Sequence, residues 1–464
     1  MRKLLYLFPF ILLAWLATYL TSCKKDILFS KEYLSFSTDT VLFDTVFTTV
    51  GSTTKKLKIY NTSSQPVKVK SVVLVGGKNS PFRVNLDGIS GTIFKDFVIP
   101  ANDSLFMFVE VTLGENNKNY PLIIEDTIEF ETNGKLQSVQ LAAWGQDAYF
   151  HYKDSNEGIW PNDKPHVIYD YALIDSAKSL TIQAGTKIHM HKGAILYVNK
   201  GELHIEGAFD NKVIIEGDRL EPFYKDVKGQ YYGIYFNKAL YSTIDNAVIK
   251  NGTAGVHIFG NNSSNADYTV KITNTEISNH ASYGIFNYSG GKVKGENLNI
   301  HSNGLYAYFL LEGGSHNFRY SQFLSYGSDG SQPAVAIKNY FTRNDGITYI
   351  GDVSEGAFYN SIIYGGGDFQ IAYDTITDNG AVTIAMDYNT NFIQQKTVPT
   401  NAGFANNVWN TNPRFESIED KEFIIKSNSL CKNAANMSYP LTVDTDITGK
   451  FRNGVFDIGA YELD

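Results

Sequence analysis

Three sets of side chains have the types and spacing that chemistry requires. Between Gly217 and Gln230 lie Asp218, Arg219, Glu221, Lys225 and Asp226, carboxylates interleaved with cations. Clustered carboxylate oxygens suit Ca²⁺, and Ca²⁺ beside an Arg or Lys base is what a calcium-dependent polysaccharide lyase needs. The same residues also read as a solvated loop with internal ion pairs. His189 and His191 alternate on one short run and so share a face, where a third ligand, His204, would complete a metal site. Outward histidines without a role are the plainer reading, and no metal is assigned. The third set is aromatic. If Val256 and Ile258 point inward, His257 points outward. By the same alternation Tyr235, Phe286 and Phe309 point outward, and Phe259 and Tyr288, two residues further along, widen the row. Exposed rings repeated in this way suit stacking on the apolar faces of successive sugars, with Asn237 and Lys238 near enough for hydroxyls. A covering loop, Gly217 to Gln230, would instead make the row a satellite core. No nucleophile elbow, phosphate loop or Cys-based zinc site is present, so no catalytic residue is named. No cofactor is expected, Ca²⁺ in the charged loop being the one candidate.

The elements that must position these groups are strands. The chain has 464 residues, 43% apolar and 14% aromatic, with 39 Gly, a load of turn formers that long helices do not tolerate. A net charge of −8 argues against nucleic acid as a partner. Two cysteines exclude a disulfide scaffold. Residues 34–148 show period-two alternation in runs such as Lys56 to Tyr60, Val67 to Val75 and Ser104 to Val111, separated by Gly- and Asn-rich turns. That rhythm predicts a β-sandwich. From residue 179 the pattern becomes a repeat. Asn-x-x-Ile recurs at Asn246, Asn274 and Asn297, with an echo at Asn360. A small residue followed by alternating apolars recurs at Gly233, Gly255, Gly284 and Ala307, with gaps of 22, 29 and 23 residues. Three short strands and their turns account for one coil of a parallel β-helix over 179–404. Residues 149–178 read as a linker, and 405–464 as a final coil and cap. The fold class is therefore all-β.

The N-terminus reads as an address. Arg2 and Lys3 precede the 17-residue apolar run Leu4 to Leu20, short for a spanning helix. Leu20-Thr21-Ser22-Cys23 resembles the lipobox of bacterial lipoproteins. The resemblance implies a signal peptide over 1–22, lipid on Cys23, a tether over 23–33 and an outer-membrane location, facing the periplasm or the surface. Lys24-Lys25-Asp26 resembles surface-export signals of some Gram-negative lipoproteins.

Asn61 after a strand and the ending Gln140-Leu141-Ala142-Ala143-Trp144-Gly145 resemble immunoglobulin-like spacer modules of bacterial surface proteins. Leu180-Thr181-Ile182-Gln183-Ala184-Gly185-Thr186, the coil series, and Asp457-Ile458-Gly459-Ala460-Tyr461-Glu462 resemble bacterial right-handed β-helix lipoproteins of the pectin-lyase-like type. That resemblance implies a fold and a location rather than an activity. Arg452, Asp457 and Glu462 are expected to pair in a structural cap. The Asn-Thr-Asp, Asp-Asp, His-Gly and Arg-Ile-Lys set of galacturonan hydrolases is absent, as is the Asp-Pro-His-Asp of alginate epimerases. The sequence therefore points to a membrane-anchored protein with a glycan-binding or envelope structural role. A lyase or hydrolase acting on acidic polysaccharide and a surface adhesin are the alternatives.

Overall fold

The computed structural model describes residues 28–47, 51–114, 122–327, 331–377, 380–400 and 403–463; the 1–22 signal and Cys23 lie outside them. Strands dominate, and among the described residues helical structure is confined to short 3-10 turns such as Gly77–Asn79. The chain divides into two units, Met1–Gln146 and Asp147–Asp464.

The first unit holds two five-stranded sheets. One contains Lys55–Tyr60, Ser104–Val111 and Phe82–Leu86, the other Lys135–Gln146, Leu122–Thr132 and Val67–Leu74. Alternate residues (Leu57 and Ile59, Val67 and Val69, Met107 and Val109) turn into one shared core. Asn61 is buried, its amide donating to the carbonyls of Gln65, Ile99 and Pro100 at 2.9, 3.1 and 2.8 Å. Phe82–Leu86 and Ile93–Ile99 are strands that the alternation did not reveal.

The second unit is a parallel solenoid with three strand faces per coil. The first face carries Ile195–Asn199, Gly233–Asn237, Ala254–Phe259, Tyr283–Tyr288, Tyr306–Leu311 and Val335–Lys338. The second face is a ten-stranded sheet that includes Glu202–Glu206, Ser242–Asp245, Val270–Thr273 and Gly291–Glu296. The third carries Val213–Gly217, Ala247–Lys250, Glu276–Ser278, Asn299–His301, Gln322–Leu324 and Ile362–Tyr364. First and third faces join in one 18-stranded sheet. Ile234, Val256, Ile285 and Tyr308 pair coil to coil and are fully buried, one column of the core. The recurrent Asn residues explain the sharp bend between second and third faces. Asn246, Asn274, Asn297 and Asn360 have φ of 47, 50, 53 and 50°, the left-handed conformation that Asn tolerates better than other non-glycine residues. Gly233 is needed for a different reason: a Cβ there would lie 1.7 Å from the Ala254 carbonyl oxygen of the next coil.

Two expectations are corrected. Residues 149–178 are not a linker, since Tyr149–Ser155, Gly158–Trp160 and His166–Ile174 are the opening strands of the solenoid sheets. Left-handed Lys153 and Asp170 and the intervening Pro161 and Pro165 break the alternation by which strands are recognised. Nor does the end of the chain close the last coil. Solenoid strands continue to Val408–Trp409, and the chain then turns back along the third face. Phe415, Phe423, Ile425, Cys431 and Ile458 bury Tyr320, Leu324, Ile362 and Phe392 of the coils in a second core. Further back, Asn436 binds Asn360, Arg452 binds Asn297, and Lys212 donates to the Ile447 carbonyl.

Arg452 is the fastening of this returning segment. Its guanidinium donates to Glu462 Oε2 (2.8 Å), Asn297 Oδ1 (3.1 Å) and the carbonyls of Gly459 (2.9 Å) and Asp457 (3.2 Å). The Asp457 carboxylate does not face Arg452 as an ion-pair partner but accepts the backbone N–H groups of Asn433 and Leu463. Burial pushes the Glu462 carboxyl above its ordinary range, and Arg452 opposes that shift.

Candidate functional site

The charged loop does not assemble a calcium site. Asp218 reaches back to His191 Nδ1 at 2.6 Å, Arg219 pairs with Glu221 at 3.1 Å and lies over the Tyr224 ring, and Asp226 pairs with Lys421 at 2.9 Å. The Lys225 carbonyl accepts the Asn251 amide. Each carboxylate thus has its own partner, and the three point to different neighbours. Among the described residues no group of three His, Cys, Asp or Glu side chains could hold a metal. The histidine trio separates likewise. His189 is buried 3.9 Å from Glu216, His191 is exposed on Asp218, and His204 lies on the second face against Thr243 Oγ1 at 3.0 Å.

The aromatic row forms in the expected register, Tyr235 to His257 to Phe286 to Phe309, and Tyr197 extends it by one coil. Its orientation differs from the expectation. Ring centroids along the column are 5.2, 4.5, 4.6 and 5.3 Å apart with interplanar angles between 8 and 33°, so the rings lie on one another along the solenoid axis. Their faces are occupied by their neighbours, and solvent meets edges. Tyr283 and Tyr306 pack on Phe286 and Phe309 from one side, and Tyr288, in edge contact with Phe259, stacks on Phe286 from the other. His257 is 8% exposed; its Nδ1 is 2.5 Å from the Tyr232 hydroxyl, and burial lowers its pKa to about 4. This row is a partly buried outer layer of rings packed on one another. The charged loop is not its cover, since the loop's Asp226, Lys228 and Lys225 bind Lys421, Gly327 and Asn251 instead.

A groove lies on the second face. Two polar columns run in register across the coils there, His204, Thr243, Lys271, Lys294 and Asn317 beside Glu206, Asp245, Thr273 and Glu296, and Thr243, Lys271, Lys294, Glu206, Asp245 and Thr273 of these form the floor. One wall is the segment Ser264 to Tyr268, inserted between the first and second faces. It is held by Asn265 on the Ala239 carbonyl (3.0 Å) and by the Tyr268 hydroxyl on Glu355 (3.0 Å). The other wall is Thr442 and Val443 of the returning segment. Two adjoining concavities of about 520 and 350 Å³ result, and Tyr241 and Lys271 border both. Tyr241 is 45% exposed. Burial, with Asp267 and Glu296 nearby, raises its phenol pKa.

The groove wall is anchored through Glu296, whose side chain is fully buried. Glu296 accepts the Thr442 backbone N–H at 3.0 Å, the Thr442 hydroxyl, and Lys294 Nζ at 2.9 Å. Burial alone would raise this carboxyl, but the bonds from Thr442 and Lys294 outweigh it and hold the pKa below the ordinary range. Lys271 in turn donates to the Thr442 hydroxyl at 2.8 Å.

No protein-family model matches the chain, and no curated protein matches it. Among solved structures, the catalytic unit of a thermostable GH87 alpha-1,3-glucanase from Streptomyces thermodiastaticus is similar at 10% identity. That match covers 76% of this chain and 89% of the glucanase, with a TM-score of 0.27. XylC in complex with xylose is similar at 10% identity over 88% of this chain and 84% of its own, with a TM-score of 0.28. A family 123 glycoside hydrolase from Clostridium perfringens matches 26% of this chain at 10% identity and a TM-score of 0.18. This chain spans 30% of that hydrolase.

Sequence reasoning missed the groove. Its members come from separate segments: Tyr241, the insertion before Tyr268, Lys271, Lys294 and Thr442. The available signal was the insertion itself, since the stretch from Phe259 to Val270 lengthens one coil without adding a strand.

Proposed function

We propose that the chain is a bacterial outer-membrane lipoprotein, held by lipid on Cys23, that binds glycans in the second-face groove. An immunoglobulin-like N-terminal unit and a right-handed β-helix of the lipoprotein type complete the reading. The observation that carries it is Tyr241, a half-exposed ring bordering two adjoining concavities whose floors are polar. An uncovered aromatic face can stack on the apolar face of a sugar, and the hydroxyls, amides and charged groups around it satisfy the sugar's hydroxyls. The groove runs across successive coils, so it suits a chain of sugars rather than a single ring.

Affinity electrophoresis in gels carrying soluble polysaccharides tests the site. Tyr241→Ala should keep the circular dichroism spectrum and lose retardation. A folded Tyr241→Ala protein retarded as strongly as the parent would show that the groove is not the site. For the anchor, Cys23→Ala should abolish acyl labelling and leave the precursor unprocessed. Normal acylation and membrane retention of that variant would refute it.

A further inference from the structure

We infer that the groove takes an uncharged glycan and discriminates against acidic ones. The inference rests on the reading of the groove as a glycan site and concerns its charge. Four carboxylates line the two concavities: Glu202 and Asp267 in the first, Glu206 and Asp245 in the second. Two cations face them, Lys271 and Lys294. Lys294 is already claimed by the buried Glu296 at 2.9 Å, which leaves Lys271 as the lining cation with no carboxylate partner among the described residues. Among the described residues no arginine lines either concavity, so they do not supply the two-pronged guanidinium contact that best holds a carboxylate or sulfate. A polyanion laid along this floor would meet more carboxylates than free ammonium groups, and partly enclosed walls weaken solvent screening of that repulsion.

The same carboxylates are good partners for a neutral sugar. A carboxylate is an acceptor only, and each sugar hydroxyl is a donor. Asp245 shows how such groups are prepared. Its Oδ1 already accepts Thr273 (2.5 Å) and Asn274 (3.1 Å), and its Oδ2 accepts Asn246 (3.0 Å), so it is fixed in place with little freedom left to lose. With Tyr241 for the ring face and acceptors along the floor, the groove matches a polyhydroxyl chain that carries no charge of its own.

The test is affinity electrophoresis of the full chain against galactomannan, xyloglucan and dextran as neutral probes, and polygalacturonate and alginate as acidic probes, at 10 and 150 mM salt. We expect retardation by at least one neutral probe, unchanged by salt, and at least tenfold weaker retardation by both acidic probes. Glu202→Gln with Asp267→Asn should narrow that gap at low salt by raising affinity for the acidic probes. Stronger retardation by an acidic probe than by any neutral one, fading as salt rises, would overturn the inference while leaving the groove a glycan site. If no probe is retarded, the groove is not a glycan site and both readings fall.

Discussion

Replacing Arg452 with Met should release the returning segment from the solenoid. Arg452 and Glu462 form a buried pair, their side chains 0% and 5% exposed. Met fills much of the volume of the arginine stem but leaves the Glu462 carboxylate in the interior without its cation. It also strips donors from Asn297 Oδ1 and the carbonyls of Gly459 and Asp457. Breaking a buried pair by deleting one partner costs about 3–5 kcal/mol, most of it the uncompensated charge. The same principle predicts a rescue. Arg452→Met combined with Glu462→Leu removes both charges, so most of the loss should return and the two substitutions should show coupling of about 2–3 kcal/mol. Urea titration of the parent, both single variants and the double variant supplies the cycle. Limited proteolysis locates the damage: new cleavage should fall within residues 411–463 while the coils stay intact. A cost for Arg452→Met below about 1 kcal/mol, the level expected of an exposed pair such as Lys396–Asp368, would refute the reasoning. So would a double variant no more stable than the single one.

Further outcomes follow from the same geometry. Combining Tyr235→Ala, Phe286→Ala and Phe309→Ala removes stacked contacts at 4.5 to 5.3 Å, each worth about 1 kcal/mol beyond area burial, so the melting temperature should fall while groove binding persists in the folded fraction. An unchanged melting curve would show that the row adds nothing to stability. Val256→Asp puts a charge in the column between Ile234 and Ile285 and should destabilise by several kcal/mol in thermal unfolding; a silent substitution would mean that Val256 faces outward. Burial lowers the pKa of His166, His257 and His280 to about 4 from an ordinary 6.5. These rings gain protons on unfolding between those values, so stability is full above pH 6.5 and falls toward pH 4. One such ring accounts for up to about 3 kcal/mol at 1.36 kcal/mol per pH unit. A urea midpoint that is flat from pH 7 to 5 would contradict this.

What the sequence made legible was local and periodic. The Asn-x-x-Ile repeat located the left-handed bends, and the alternation around Val256 set both the inward column and the outward row. Alternation says which side of a sheet a residue occupies, but not how a ring tilts once there. The stacking of Tyr235, His257, Phe286 and Phe309 on one another was therefore invisible, although their register was not. The opening coils were hidden by Pro161, Pro165 and the left-handed Lys153 and Asp170. The polar ending has no period, and its partners lie far away in the chain: 155 residues separate Arg452 from Asn297. The groove shares that difficulty, because Lys271 and Thr442 meet across 171 residues.

A bare stack of coils is a one-dimensional object: each coil touches only its neighbours, and fraying can start at an end and travel inward. The segment that doubles back changes this. Lys212 holds the Ile447 carbonyl across 235 residues, Arg452 holds Asn297, and Asn436 holds Asn360, so one stretch of chain grips early, middle and late coils together. Loosening the last coils then requires breaking contacts on coils far from the end, which turns a sequential unzipping into a more cooperative transition. The arrangement also sets an order of events. Tyr320, Leu324, Ile362 and Phe392 precede in the chain the residues that bury them. Until those residues arrive, a winding solenoid displays an apolar strip for any other chain to meet.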